Sequence, residues 1–128
     1  MKSARELSLA SLDAVKSRQR ELWLSLFADD AIVEDPVGQS PFDPAGKGHR
    51  GHEAIGRFYD MVVAQNTTFE YRIREWYACG NEVASAATFV ISNAHATNQQ
   101  VDLIIIHKAN DEGKLTSLRA FWTFPSAD

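Results

Sequence analysis

A chain of 128 residues, 45% hydrophobic and 23% charged, is long enough for one domain around a single core. Its formal charge of -4 offers no electrostatic attraction to nucleic acid or an anionic membrane, so neither partner is expected. The one cysteine, Cys79, can form neither an internal disulfide nor a metal cluster by itself, and the charge-interrupted N-terminus lacks the apolar run of an export signal. A single cytoplasmic domain covering 1–128 is the expectation.

Ser3 with Glu6 three residues later reads as a capping box, and Leu9, Leu12 and Val15 recur at helical spacing, which predicts a helix over about residues 4–17. In "RQRELWLSLFADD", Leu22 with Leu26 and Trp23 with Phe27 stand at i,i+4, predicting a second, shorter helix whose apolar stripe ends at the two aspartates. The segment "AIVEDPVGQSPFDPAGKGHRG" then opens as an apolar strand, meets Glu34 and Asp35, and dissolves into prolines and glycines. Val33 and Asp35 share one strand face, so Glu34 takes the other and meets solvent. A carboxylate turned toward an apolar interior must find a partner, take up a proton or serve chemistry.

The connector that follows carries Lys47, His49, Arg50 and His52 ahead of a helix. It reads either as an anion site or as a solvated loop, and it lacks the ending of a phosphate-binding loop. Ile55, Phe58, Tyr59 and Val62 fall at i, i+3, i+4 and i+7 and predict the third helix, over about residues 52–65. After Asn66 the period drops to two, with Phe69, Tyr71 and Ile73 alternating against charged residues. Three more strands are predicted at about residues 82–93, 99–109 and 115–124, separated by the turn-forming stretches "CGN", "ATNQ" and "NDEGK". Helices first and long antiparallel strands second make an α+β domain with helices on one face of a curved sheet.

Three stretches in this order, "LFADDAIVEDPVG", "GHEAIGRFYD" and "GKLTSLRAFW", resemble the ketosteroid isomerase branch of the NTF2-like (SnoaL-like) superfamily over nearly the whole chain. The resemblance implies a cone of three helices on a bent, mainly antiparallel sheet with an apolar pocket in its mouth, and a homodimer formed through the outer sheet face. It places the general base on Asp35. A poorly solvated carboxylate there has a raised pKa and can both take a proton from carbon and return it.

Proton transfer of this kind also needs donors for the dienolate oxygen, supplied in the family by a tyrosine of the first helix and a protonated aspartic acid of the penultimate strand. In this chain those positions fall on Ser11 and Ile105, so both donors are replaced. Tyr59 and His107 are the candidates to compensate, His107 either by donating to the oxygen or by pairing with Asp35. The alternatives are a turn role for Asp35, a core aromatic at Tyr59 and an interior histidine bonded to backbone or water at 107. Trp122 corresponds to a pocket-wall residue of the family, while Leu118, Phe89, Ile105 and Phe58 are apolar positions that either line a cavity or fill it.

The expected function is therefore allylic isomerisation of a steroid-like or other small apolar ketone. The alternatives are a noncatalytic hydrophobic-ligand or dimeric interaction module, or another chemistry of the superfamily such as cyclisation, dehydration or epoxide opening. No cofactor is expected, and His49, His52 and His95 make no metal-ligand pattern. Thr88, Val90 and Phe121 are the residues expected beneath a dimer contact.

Overall fold

Ser3 starts the first helix by the reciprocal pairing that its spacing from Glu6 predicts. In the computed structural model, which describes residues 2–123, Ser3 Oγ accepts from the Glu6 N–H at 3.2 Å and Glu6 Oε1 accepts from the Ser3 N–H at 3.0 Å. Two of the donors left open at a helix start are thereby satisfied. Helix α1 runs Ala4–Lys16 and turns Leu7, Ser8, Ser11, Leu12 and Ala14 inward.

The second helix departs from its predicted extent. Helix α2 covers only Arg20–Ser25, and strand β1 (Phe27–Glu34) begins where the stripe was expected to continue, so Asp29 and Asp30 lie inside a strand. Six residues without a side-chain N-cap gain little from helix propagation. Pairing wins instead: the Leu115 N–H donates to Leu26 O at 2.8 Å and Phe27 stands opposite Leu115. Trp23 and Phe27 still meet, edge to face with ring centroids 4.8 Å apart, but Leu22 is left 48% exposed.

Helix α3 spans Gly51–Met61 and is followed by a separate 3-10 turn at Val63–Gln65, where one continuous helix was expected. Strands β2 (His49–Arg50), β3 (Thr68–Cys79), β4 (Glu82–Asn93), β5 (Ala96–Ala109) and β6 (Leu115–Phe121) complete a six-stranded sheet in the order β2-β1-β6-β5-β4-β3. The β1–β6 pair is parallel and the rest are antiparallel. The last strand was expected to reach residue 124, which lies outside the described residues.

The β4–β5 turn falls at Asn93–Ala96 rather than at "ATNQ". Asn98 does take the left-handed conformation that such a residue favours, φ 50°, but within the strand, with its N–H bonded to Ser92 Oγ at 2.9 Å. A second irregularity, between Ile73 and Glu75 in β3, shifts the register there. The sheet curves and stays unclosed, with α1 laid across β3, β4 and β5 and α3 against β1. This is the α+β cone expected from the resemblance. No helix among the described residues is long and apolar enough to cross a membrane.

Candidate functional site

Curvature of the sheet away from the helices leaves a cavity of about 750 Å³ between them, within the size range of small-molecule sites. Its wall is mostly apolar. Leu12 and Val15 of α1, Phe58 and Met61 of α3, and inward-facing Phe89, Leu103, Ile105, Leu118 and Ala120 of the sheet contribute to it. Phe58, Phe89, Ile105, Leu118 and Trp122, the apolar ligand contacts expected from the sequence, are all brought together there.

Asp35 follows β1 at the step into Pro36, across a cis peptide bond, and faces the same cavity. Strand parity is the reason: Val33 is fully buried on the inner face, and Asp35 continues that face. Its Oδ1 accepts a hydrogen bond of 2.6 Å from Trp122 Nε1. Burial pushes the carboxyl above the usual aspartate range, and the indole N–H, by stabilising the charged form, partly opposes this. Glu34 points to the outer face, where it meets Arg119 at 3.0 Å rather than only solvent.

His107 is 1% exposed and also lines the cavity. It does not pair with Asp35, and neither ring nitrogen has a hydrogen-bond partner among the described residues. Of the expected alternatives, an imidazole bonded to backbone or to water, the backbone bond is not made among the described residues. Burial lowers its pKa to about 4, so the ring is neutral near pH 7 and has one donor and one acceptor nitrogen to satisfy. Leaving such groups unpaired in an interior costs about 1–3 kcal/mol each.

Ser11, where the resemblance sets the family's tyrosine, lines the cavity as well. Its Oγ accepts from Trp23 Nε1 at 3.0 Å, a contact between two helices that no sequence pattern announces. Ile105, where the resemblance sets the family's aspartic acid, is apolar and 3% exposed.

Tyr59 is a correction. Its ring is buried against Trp23 at 5.5 Å, and it lines a smaller cleft with Lys16, Arg18, Thr67 and Glu70 that adjoins the large cavity through Val15, Val63, Asn66 and Phe69, rather than the large cavity itself. On α3 and its extension, Phe58, Met61, Val62 and Gln65 form the row that faces the cavity, so Tyr59, one step round the helix from Phe58, is turned away. The sequence also gave no sign that Phe42, from the connector after β1, would reach the cavity wall.

That connector is organised around an acid rather than a basic cluster. Asp43 accepts from the Gly48 N–H at 2.7 Å and the Lys47 N–H at 3.3 Å. Its basic residues diverge: the Arg50 guanidinium donates to Asp30 O, His52 Nε2 bonds Phe27 O, and His49 stacks on Phe58 at 4.9 Å. No group of three metal-ligating side chains gathers anywhere among the described residues.

Residues 9–118 match the model of the SnoaL-like domain family. A steroid Delta-isomerase of Nocardioides simplex is 31% identical over 114 residues, covering 87% of this chain and 82% of that protein. Among solved structures, a Mycobacterium tuberculosis protein in complex with estradiol-17beta-hemisuccinate superposes with a TM-score of 0.87 at 30% identity, with 96% of each chain covered. A Delta 5-3-ketosteroid isomerase from Mycobacterium sp. gives 0.85 at 30% identity, covering 94% of this chain and 92% of that one.

Proposed function

The chain belongs to the SnoaL-like (NTF2-like) family, in its ketosteroid isomerase-like branch, and from that premise we propose that it binds a steroid-like apolar ketone and moves a proton along its allylic system with Asp35 as general base. The observation that carries this reading is the Asp35 carboxyl in the wall of a largely apolar cavity, anchored by Trp122. Fixed by one indole N–H at one oxygen, it keeps the other oxygen for chemistry.

In the proposed step the carboxylate removes a proton from the carbon between the carbonyl and the carbon–carbon double bond. The electron pair moves into a dienolate, and Asp35, now a carboxylic acid, returns the proton to the far end of the conjugated system. Its raised pKa makes it a stronger base than a solvated aspartate, and water is kept from intercepting the dienolate by the apolar wall. The test is the rise of conjugated-enone absorbance from a 5-ene-3-ketosteroid. Asp35→Asn is expected to lower the rate by about 10²-fold or more; equal rates for wild type and variant would overturn the reading.

A noncatalytic ligand-binding role is the second reading, favoured by Ser11 and Ile105 standing where the family's oxyanion donors are. It is supported if steroids raise the melting temperature while no ketone is turned over. The partner proposed for the outer sheet face is a second copy of the chain. Ile104 and Phe121 stand opposite one another there, 43% and 38% exposed. Thr88, expected in that contact, is instead 5% exposed and donates to Asp102 Oδ1 at 2.6 Å, so it is already occupied within the chain.

A further inference from the structure

The cleft beside Tyr59, about 220 Å³ in volume, shares Val15, Val63, Asn66 and Phe69 with the large cavity. It is smaller than an independent small-molecule site, and the shared wall makes it a side arm of the cavity. Sheet register fixes where that arm lies. Glu34 pairs with Arg119 and Arg119 with Ile106, which puts Asp35 level with Ile105. Phe69 pairs with Ile91 and Ile91 with Gln99, so the arm is about 20 Å further along β5 by strand rise. It also lies at the opposite edge of the sheet, beside β3, and at the open end, since β5 goes from half-buried at Gln99 to buried at Ile105.

The two spaces differ in chemistry. The cavity wall is mostly apolar, whereas Lys16, Arg18, Tyr59, Thr67, Thr68 and Glu70 line the cleft. Of the cations around it, Lys16 stands 2.9 Å from Glu70 and Arg20 stands 2.8 Å from Asp60, so each has its carboxylate. Arg18 has none among the described residues. Its guanidinium donates to two backbone oxygens, Asn66 O and, at 3.3 Å, Ala64 O. These bonds tie the turn between α1 and α2, where Arg18 has φ 59°, to the end of the 3-10 segment. They occupy two of the five N–H groups of a guanidinium and leave its charge unpaired at the cleft. The Tyr59 hydroxyl makes no hydrogen bond among the described residues. Burial raises its pKa against the opposing pull of Arg18 and Arg20, so it stays a protonated donor near the guanidinium.

Resting on the pocket reading above, we propose that this side arm seats a carboxylate carried on a short chain of the ligand, with Arg18 supplying the charge and Tyr59 a second donor. The class selected is an apolar fused-ring body with an acidic substituent, in preference to its uncharged ester. A carboxylate answers both needs of the cleft, because it neutralises the guanidinium and accepts several hydrogen bonds. Asp35 repels an acid brought to its own end of the cavity, so the two ends of the guest are told apart by charge.

The test compares 3-oxochol-4-en-24-oic acid with its methyl ester, which share the ring ketone and differ by one charge. Dissociation constants are measured by calorimetry for the wild-type chain, Arg18→Gln and Tyr59→Phe. Wild type is expected to prefer the acid by about tenfold, the scale of one charge-assisted hydrogen bond. Arg18→Gln, which keeps a donor for the two backbone oxygens but removes the charge, should bring the ratio to within about twofold with ester affinity unchanged. Tyr59→Phe should lower the preference by about threefold. Equal wild-type affinity for acid and ester, or a preference that survives Arg18→Gln, overturns this inference and leaves the pocket reading standing. Binding of neither compound to wild type overturns both. Should Arg18→Gln fail to fold, the Arg18 Nε–H signal of the wild-type protein decides: it should shift with the acid and not with the ester, and the same response to both counts against the seat.

Discussion

Asp35 and His107 share one cavity wall, and burial moves their pKa values in opposite directions because it disfavours whichever form is charged. The consequences for stability have opposite signs. His107 titrates near 6.5 when unfolded and at about 4 when folded, so the unfolded chain binds the extra proton between those values. Its contribution is present above about 6.5 and is lost as pH falls toward about 4, roughly 3 kcal/mol over the window. For Asp35 the folded pKa is raised, so its contribution is whole below the unfolded value of 3.8 and is lost as pH rises through the folded value. Urea midpoints measured from pH 4 to 7.5 should therefore fall less steeply on acidification in His107→Leu than in wild type. In the same series Asp35→Asn should gain on wild type as pH rises. Curves parallel to wild type for His107→Leu would contradict the desolvation of the imidazole. At this scale the sequence made Asp35 legible through strand parity and the family resemblance. It gave no sign of the Trp122 hydrogen bond, since the two residues are far apart in the chain and meet only through the sheet.

At the scale of elements, each expected helix and strand is present, and the departures fall where long-range pairing competes with a short local pattern. The i,i+4 stripe of "LWLSLF" gives way at Leu26 because β6 supplies hydrogen bonds to the chain from that point on. Likewise, "ATNQ" has turn chemistry, yet the pairing of Asn93 with Ala96 sets the turn earlier. The β1–β2 connection depends on Gly48 at φ +81°, where an added Cβ would lie 2.8 Å from Ile32 Cγ2 and 3.0 Å from Glu34 Cγ. Gly48→Ala is accordingly expected to cost about 1–3 kcal/mol, from backbone strain and the forced displacement of β1 side chains. Thermal denaturation checks it, and an unchanged melting temperature would show that the connector is not held in this conformation. Because the same stretch of β1 leads into Asp35, the variant should also weaken ligand binding.

For the whole molecule, the sheet has an inner face committed to the cavity and an outer face that leaves Ile104 and Phe121 partly in solvent. Tyr77 adds a 67% exposed ring to the surface of the chain. If the outer face joins two copies, wild type sediments as a dimer at micromolar concentration. Ile104→Glu, which sets an unpaired charge into a desolvated contact, then sediments as a monomer with its fold intact. A monomeric wild type would count against the dimer. The cavity is lined by residues of one chain, so ligand affinity is expected to change little in a folded monomeric variant.

The sequence by itself determined the inward face of most of its longer elements. Capping, helical spacing and strand alternation are local properties of the chain, and they placed Phe58, Phe89, Ile105, Leu118 and His107 on interior faces without knowledge of one another. Only the tertiary structure decided that these faces stand apart and enclose space, because the gap depends on the bending of six strands and on the seating of α1 across three of them. It also decided, by one step of rotation about α3, that Phe58 meets the cavity while Tyr59 packs against Trp23. Side chains pointing inward are a matter of backbone period; whether they touch or leave room for a guest is a matter of how far apart the backbones are held.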